Sequence, residues 1–302
     1  KYEYCPQLDA SRFQVRNARF SVTGNVHQMV AYKAEVELSD RGQTRILDAY
    51  VRVLPVKGLA FTLGQVKKQF STDNLRSPHN MLFANPAFIV SEFANLRDVG
   101  FTAGYNAKEY VPIEVVLGVY NGNGLYDQKI WKKHFNYSAR LIFNTCKYFA
   151  FDLNWQSIKP ENVRMNVFDL AMRADFYGVH LEAEGAYKIY QNSVFKPSYG
   201  FTGTAYYDIM LPKVFHHLRV LGRYDMITDD YDGSELIEEG VGTVYPITTS
   251  ARQRITAGVT LSLADPILAE LRINYEKYFH KDWSAVKADD QDKLVIEIVA
   301  RF

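Results

Sequence analysis

Apolar and polar residues alternate along most of the chain with a period of two. Between residues 30 and 38, valine, tyrosine, alanine and leucine take every second position, and Lys33, Glu35 and Glu37 take the positions between them. Successive side chains of a β-strand point to opposite faces, so this period is that of a strand with one apolar face. The alternation recurs at residues 149–156, 179–189 and 255–261. The pattern predicts an all-β protein.

About fifteen strands are expected, at residues 12–23, 28–39, 44–55, 58–67, 97–106, 111–121, 134–145, 147–157, 165–176, 178–190, 198–210, 214–227, 249–263, 267–279 and 291–302. These lengths suit tilted strands that cross a bilayer, which need ~9–11 residues, whereas strands of soluble proteins have a mode of ~5–6. Short connections alternate with long ones, and residues 24–27 are expected to be one of the short turns. Short turns at one end and long loops at the other are typical of an outer-membrane barrel.

The end of the chain adds to this prediction. The last segment, residues 293–302, alternates to a terminal Phe302 and resembles the C-terminal signature of bacterial outer-membrane proteins. Bacterial barrels have an even number of strands, so a sixteenth strand is expected. Tyr2 and Tyr4 can supply only the end of it, and the mature chain is therefore expected to begin upstream of Lys1. The predicted fold is one transmembrane antiparallel β-barrel of 16 strands, a single domain over residues 1–302.

Composition and motifs exclude several other classes. The chain has 35 Lys and Arg against 34 Asp and Glu, a formal net charge of +1, so no basic field favours a nucleic-acid partner. The two cysteines, Cys5 and Cys146, are too few for a disulfide framework or a zinc motif. No uninterrupted apolar run is long enough for a transmembrane helix. No catalytic or cofactor-binding motif is present, so neither an enzyme nor a cofactor is expected.

Several stretches, in order along the chain, resemble the phosphate-selective porin O and P family. They are residues 13–20, 47–51, 64–71, 97–100 and 118–122, with weaker likeness at 223–225 and 274–275. Each stretch is short, but the ordered series spans nearly the whole chain. The resemblance implies a water-filled, sixteen-stranded and usually trimeric channel of a Gram-negative outer membrane.

Residues 68–96 are the longest predicted loop, and counting strands makes them the third external loop. In general porins this loop folds inward and narrows the pore. The segment contains apolar residues for which a solvated loop has little use: Met81, Leu82, Phe83, Phe88 and Ile89. Its cations are few, with Lys68, Arg76 and His79 as the candidate constriction residues. Anion-selecting members of the family concentrate basic residues there, so phosphate selectivity is not carried over.

Alternation also places charged side chains toward the interior. The candidate pore-lining residues are Arg52, Arg140, Arg173, Arg219, Arg223, Arg252, Arg254, Arg272, Glu182, Glu184, Glu270 and Glu276. They fit a solvated lining with cross-strand ion pairs, or a path of guanidinium groups that selects anions. Arg219, Arg223, Arg252 and Arg254 lie on neighbouring strands and could form one basic wall. On that hypothesis, replacing Arg252 and Arg254 by alanine moves the reversal potential toward cations.

Two further groups could in principle bind metal. His216 and His217 are adjacent on one strand, so alternation directs only one of them to the lumen, and metal binding by the pair is not expected. Acidic residues crowd the loop 229–239, which fits a solvated surface or, alternatively, a Ca²⁺ site that bridges lipopolysaccharide. No metal is assigned.

Two functions remain. The first is a porin in the outer membrane of a Gram-negative bacterium, a passive channel for small hydrophilic or anionic solutes. It would be a homotrimer in contact with outer-membrane lipid and lipopolysaccharide. The alternative is a barrel that acts as a docking or structural subunit of a larger membrane assembly. Conductance across a planar bilayer separates the two.

Overall fold

The computed structural model describes residues 1–302 except 41–42, 95–96, 127, 161–162, 212–214, 234–236, 239–242, 245–247, 264–267, 283–285 and 302. The strands are β1 (Tyr2–Cys5), β2 (Ala10–Phe13), β3 (Arg19–His27), β4 (Val30–Asp40), β5 (Gln43–Val53), β6 (Leu59–Lys67), β7 (Arg97–Asn106), β8 (Ile113–Tyr120), β9 (Asn136–Cys146), β10 (Phe149–Ile158), β11 (Met165–Phe176), β12 (Val179–Tyr190), β13 (Ser198–Met210), β14 (Phe215–Ile227), β15 (Ile237–Glu238), β16 (Thr243–Val244), β17 (Arg252–Leu263), β18 (Leu268–His280) and β19 (Lys293–Arg301).

In the residues that the structure describes, helical structure is confined to short segments of the connections between strands. The α-helices are α1 (Thr72–Leu75) and α2 (Phe88–Glu92), and single 3₁₀ turns occupy Pro6–Leu8, Pro78–Asn80, Gln191–Ser193 and Ala288–Asp290. Within the described ranges, no helix has the length and apolar character needed to cross a membrane. The secondary structure confirms the all-β prediction.

In the described part of the chain, seventeen strands form one antiparallel sheet, and β15 and β16 form a separate two-stranded sheet. Each strand pairs with the next from β3 to β14, and the ladder continues through β17 and β18 to β19. The last strand, β19, pairs with β1, and β1 pairs with β2. Because the chain runs on from β2 into β3, the two ends of the ladder adjoin and the sheet forms a barrel.

The predicted first strand, residues 12–23, is wrong in its bounds. It is divided into β2, which pairs with β1, and β3, which pairs with β4. With β2 and β3 counted as one interrupted strand, the sheet has sixteen. The predicted turn at residues 24–27 belongs to β3 instead. The ring of Tyr32 on β4 covers Gly24, whose added Cβ would lie 2.8 Å from the Tyr32 hydroxyl, so this glycine serves cross-strand packing and not a turn.

The two faces of the sheet differ as alternation predicts. On β12, Leu181 is 43% exposed on the outer face, whereas Glu184 and Lys188 are 5% and 3% exposed on the inner face. On β17, Val259 is exposed outside and Thr260 is buried inside. The apolar outer face suits lipid, and the inner face carries the charged groups.

Alternation fails at the start of β14. Between Phe215 and His217 the pairing with β17 shifts by one residue, because Phe215 is opposite Leu263 and His217 is opposite Ser262. His216 is therefore the extra residue of a β-bulge, which re-aims side chains locally. The expectation that His216 and His217 point to opposite faces is wrong for this reason, since their rings lie next to each other.

Candidate functional site

Residues 68–94, here called the constriction loop after the role that the sequence predicts for this segment, leave β6 and pack against the inner face of the sheet. Ser71 has a left-handed φ of 62°, and its hydroxyl accepts a hydrogen bond from the Asn74 amide at 3.3 Å, which caps α1. The Lys67 ammonium donates to the carbonyl oxygens of Asn74 and Arg76, at 3.0 and 2.6 Å. These bonds fix the first turn of the loop against the strand from which it departs.

Apolar side chains attach the loop to the inner wall. Phe70, Phe88, Ile89, Phe93 and Ala94 form a buried cluster with wall residues Val167, Ala186, Ile227 and Tyr278. The wall accommodates α2 at Gly200, where a Cβ would lie 2.8 Å from the Phe93 ring. Leu82 and Phe83 form a second cluster with Leu221 of β14. Of the five apolar residues singled out in the sequence, Leu82, Phe83, Phe88 and Ile89 are buried, and Met81 is half-buried.

Three arginines of β14 and β17 hold the second half of the loop. Arg223 donates to the carbonyl of Asn85 at 3.0 Å, and Arg254 donates to the carbonyl of Pro86 at 2.7 Å. Both guanidinium groups also contact Asp225, which is fully buried, at 2.8 and 2.7 Å. On the next part of the loop, Arg252 pairs with Glu92 at 2.8 Å.

Strand β18 holds the tip of the loop. Arg272 donates to the carbonyl oxygens of Pro78 and His79, at 3.2 and 3.0 Å, and its other partners are Glu270 and Glu297. Glu276 accepts a hydrogen bond from the Asn85 side chain at 3.0 Å. The candidates Arg272 and Glu276 therefore contact the loop directly.

The first half of the loop contacts β10 and β12. Arg76 pairs with Glu182 and with Asp73 of its own helix. Thr72 donates to Asp152 at 2.7 Å, and the same carboxylate is within 2.7 Å of Arg140 and 3.6 Å of Arg173. Glu184 lies against Ser71 and Asp73. A cavity of about 30 Å³ separates loop and wall here, which is room for roughly one water molecule.

The four arginines that could form one basic wall do not form an exposed surface in the structure. Arg223, Arg252 and Arg254 do lie together, but they are only 5%, 7% and 2% exposed because the loop covers them. Arg219, the fourth member, makes a two-pronged pair with Asp208, at 2.7 and 2.8 Å. Alternation predicts that a side chain points inward, but it cannot predict that an inward-folded loop covers it.

Lys68 is not in the opening either. It is buried in the wall, with its ammonium 3.8 Å from Asp98. Of the three candidate constriction residues, Arg76 and His79 remain partly exposed.

Charged groups that sequence analysis missed or did not single out lie on β3, β4, β5 and β7 and in the segment before β3. Arg19 pairs with Glu37 at 2.8 Å, and Arg97 pairs with Asp48 at 2.7 Å. Arg16 reaches Glu297 at 3.3 Å. The side chains of Arg16 and Arg19 are 22% and 25% exposed, more than those of the loop-bound arginines. Arg16 and Arg19 were not predicted as interior residues because the bounds of the first strand were wrong. The alternation of charged residues on β4 did indicate that Glu37 points inward. Arg52, another candidate, donates to Thr62 at 3.1 Å on the neighbouring β6.

We expect acid to loosen the loop tip through His79. Its Nε2 lies 2.9 Å from an Arg301 guanidinium nitrogen and must accept there, so the imidazole is neutral. Partial burial, then Arg301 and Arg272, lower the pKa of His79 below the ordinary 6.5. A lowered folded-state pKa means that this contact stabilises the loop fully above pH 6.5 and is lost as the pH falls through the folded value.

Hydrogen exchange of the loop amides, compared at successive pH values from 7 to 4, measures this effect. Exchange should accelerate beyond the intrinsic pH dependence. His79→Gln keeps a hydrogen-bond acceptor but does not titrate, and it should remove the added acceleration. The explanation fails if the glutamine variant retains the full effect.

In the described part of the chain, no group of three or more His, Cys, Asp or Glu side chains is arranged to hold a metal. In the acidic loop, Asp229 pairs with Lys281, and Asp230 pairs with Lys188. Glu235 and Glu239 lie outside the described residues.

The fold and the inward loop define an outer-membrane β-barrel of the porin class. Residues 5–178, more than half of the chain, match the model of the family described as phosphate-selective porin O and P. The chain therefore belongs to this family and is an outer-membrane porin of Gram-negative type. This match confirms the resemblance to the family that the sequence motifs indicated. No curated protein sequence matches it.

Solved structures share its fold. OmpTΔL8, a loop L8 deletion mutant of the Vibrio cholerae outer-membrane protein OmpT, has a TM-score of 0.65 at 10% identity, covering 98% of this chain and 93% of its own. The anion-selective porin from Comamonas acidovorans has a TM-score of 0.65 at 9% identity, covering 99% and 94%. OmpF of Salmonella typhi, in complex with daunomycin, has a TM-score of 0.65 at 11% identity, covering 98% and 93%. Identities this low establish similarity of fold alone.

Proposed function

We propose that the chain is a weakly selective diffusion channel for small hydrophilic solutes, and that the constriction loop sets its width. The loop is bonded to β10, β12, β14, β17 and β18, so it occupies that side of the interior. In this proposal the partly exposed charges of residues 16–37, on and before β3 and β4, form the second surface, which meets the loop where Glu297 contacts both Arg16 and Arg272. Solutes would pass between these two surfaces.

Charge pairing is the observation that supports weak selectivity. Lys33 contacts Glu35 and Asp48, Arg19 contacts Glu37, and Arg219 contacts Asp208. A guanidinium already bonded to a carboxylate attracts an anion less than a free one, because the two charges largely cancel at a distance. A dedicated phosphate site needs several cations that are free to converge on one anion. We therefore propose a modest anion preference at most, although the family takes its name from phosphate.

Reversal potentials in a KCl gradient across a planar bilayer test this proposal. We expect ohmic current and a small reversal potential that shrinks further at high salt, because the screening length falls to ~3 Å at 1 M. Block of chloride current by micromolar phosphate would overturn weak selectivity. A barrel that inserts but conducts no current would overturn the channel and leave the docking role.

We also propose that the chain assembles as a homotrimer in contact with lipopolysaccharide. In-vitro folded OmpT of Vibrio cholerae, whose fold is similar with a TM-score of 0.61, is described in a trimer form. For the lipid, the support lies in residues 130–135 between β8 and β9. Trp131 is 98% exposed there beside Lys132 and Lys133, a pairing of apolar and cationic groups that suits a phosphorylated lipid.

A further inference from the structure

His216 and His217 bring two imidazole nitrogens together near the start of β14. The Nδ1 atoms of these rings are 3.1 Å apart, and the ring planes are nearly perpendicular, at 79°. Adjacent residues of a regular strand could not do this, because their side chains diverge. The bulge between Phe215 and His217 makes the approach possible.

A chain of hydrogen bonds fixes which nitrogen of His217 is free. The Ser262 hydroxyl donates to Glu270 at 3.4 Å, and Arg272 holds that carboxylate at 3.0 Å. With its only proton directed to Glu270, Ser262 can only accept from His217 Nε2, which lies 3.1 Å away. The proton of a neutral His217 is therefore on Nε2, and its Nδ1 has a lone pair directed toward His216.

This arrangement resembles that of a metal-binding histidine whose second ring nitrogen is hydrogen-bonded to a fixed polar group. Histidines that bind metals usually donate the other ring N–H to a fixed polar group, which sets the tautomer and the orientation of the ring. Two nitrogens 3.1 Å apart, each at about 2.0–2.1 Å from one ion, enclose an angle of roughly 100°. That value lies between square-planar and tetrahedral coordination.

We propose that His216 Nδ1 and His217 Nδ1 chelate a divalent transition-metal ion, with water completing its coordination. Imidazole suits Cu²⁺, Ni²⁺ and Zn²⁺, and Cu²⁺ binds most tightly to a given nitrogen site. His216 is exposed and His217 is half-buried, so an ion can reach both nitrogens. The site lies at the end of the barrel where the connections are short, and the bonds from Ser262 through Glu270 to Arg272 link it to the tip of the constriction loop.

Calorimetric titration of the folded barrel with Cu²⁺ in detergent tests the proposal, after Cys5 and Cys146 have been alkylated. Loss of one of two linked ligands should weaken binding by about 10²-fold, so we expect this loss in both His216→Ala and His217→Ala. His27→Ala is the matched control, because His27 is a single exposed imidazole at the same end of the barrel. This control should bind Cu²⁺ like the unaltered protein.

A second measurement does not depend on the variants. The electron paramagnetic resonance spectrum of the Cu²⁺-loaded unaltered protein should show two directly bound nitrogens. If it shows only one, or if His216→Ala binds Cu²⁺ as tightly as the His27→Ala control, then the two rings are merely joined by an N–H···N hydrogen bond and the proposal is overturned. Neither readout requires an open channel, so its result is independent of the proposed transport function.

Discussion

Arg254→Leu should cause a large loss of stability. Arg254 bonds to Asp225 and to the Pro86 carbonyl, both at 2.7 Å, and lies 3.5 Å from Glu276. Both carboxylates are fully buried, so leucine leaves Glu276 without its guanidinium partner and Asp225 with Arg223 alone. Breaking a buried pair by removing one partner typically costs ~3–5 kcal/mol.

The same substitution should raise single-channel conductance, because the loop loses the donor that holds the Pro86 carbonyl. Urea unfolding in detergent measures the stability, and planar-bilayer recording measures the conductance. Arg219→Leu is the matched control, since the Arg219 pair with Asp208 is partly exposed and should contribute about 1 kcal/mol or less. Equal losses in the two variants would show that Arg254 does not anchor the loop.

Phe88→Ala should release the constriction loop from the wall. The Phe88 ring is 3% exposed and lies 4.5 Å from the guanidinium carbons of both Arg252 and Arg254. Its centroid is 6.1 Å from that of Tyr278. Truncating a buried phenylalanine to alanine typically costs ~3–5 kcal/mol, and here two cation–π contacts are lost as well.

Hydrogen exchange of the loop amides, followed by mass spectrometry, reports this release. Amides of residues 78–93 should exchange faster, while those of the strands stay protected, because the barrel ladders do not depend on Phe88. Phe201→Ala serves as control, since Phe201 is 39% exposed on the outer face of β13 and should leave loop exchange unchanged. Unchanged protection of the loop in Phe88→Ala would mean that its polar bonds alone hold it.

The alternation of apolar and polar residues was sufficient to predict the strands of the barrel wall. From β4 onward, each strand of the barrel wall lies close to a predicted segment, because a strand that faces lipid on one side and a polar interior on the other must alternate at every residue. The pattern failed where a strand is interrupted or bulged. At residues 14–18 the chain leaves one pair of strands and enters the next. At His216 one strand contains an extra residue. Neither feature changes the alternation of apolar and polar residues enough to be predicted from the sequence.

The arrangement of side chains in the barrel interior depends on contacts between segments that are far apart in the sequence. Apolar residues in the segment 68–96 indicated that this loop is not solvated, and the structure places it in the barrel. Which wall residues it covers could not be predicted, because alternation gives only the face of each side chain. Arg223 and Arg254 have the same pattern as Arg219, yet two of them bond to loop carbonyls and the third pairs beside Tyr206.

The sequence by itself determined the fold class, the membrane-facing surface and the family, since each depends on residues read in order along single strands. Only the tertiary structure shows which charged side chains the loop covers. It alone also shows that the imidazole rings of two neighbouring histidines lie next to each other. The physical reason is that both depend on register and on long-range packing, where a shift of one residue or one buried carboxylate changes the partner of a side chain without changing the pattern around it.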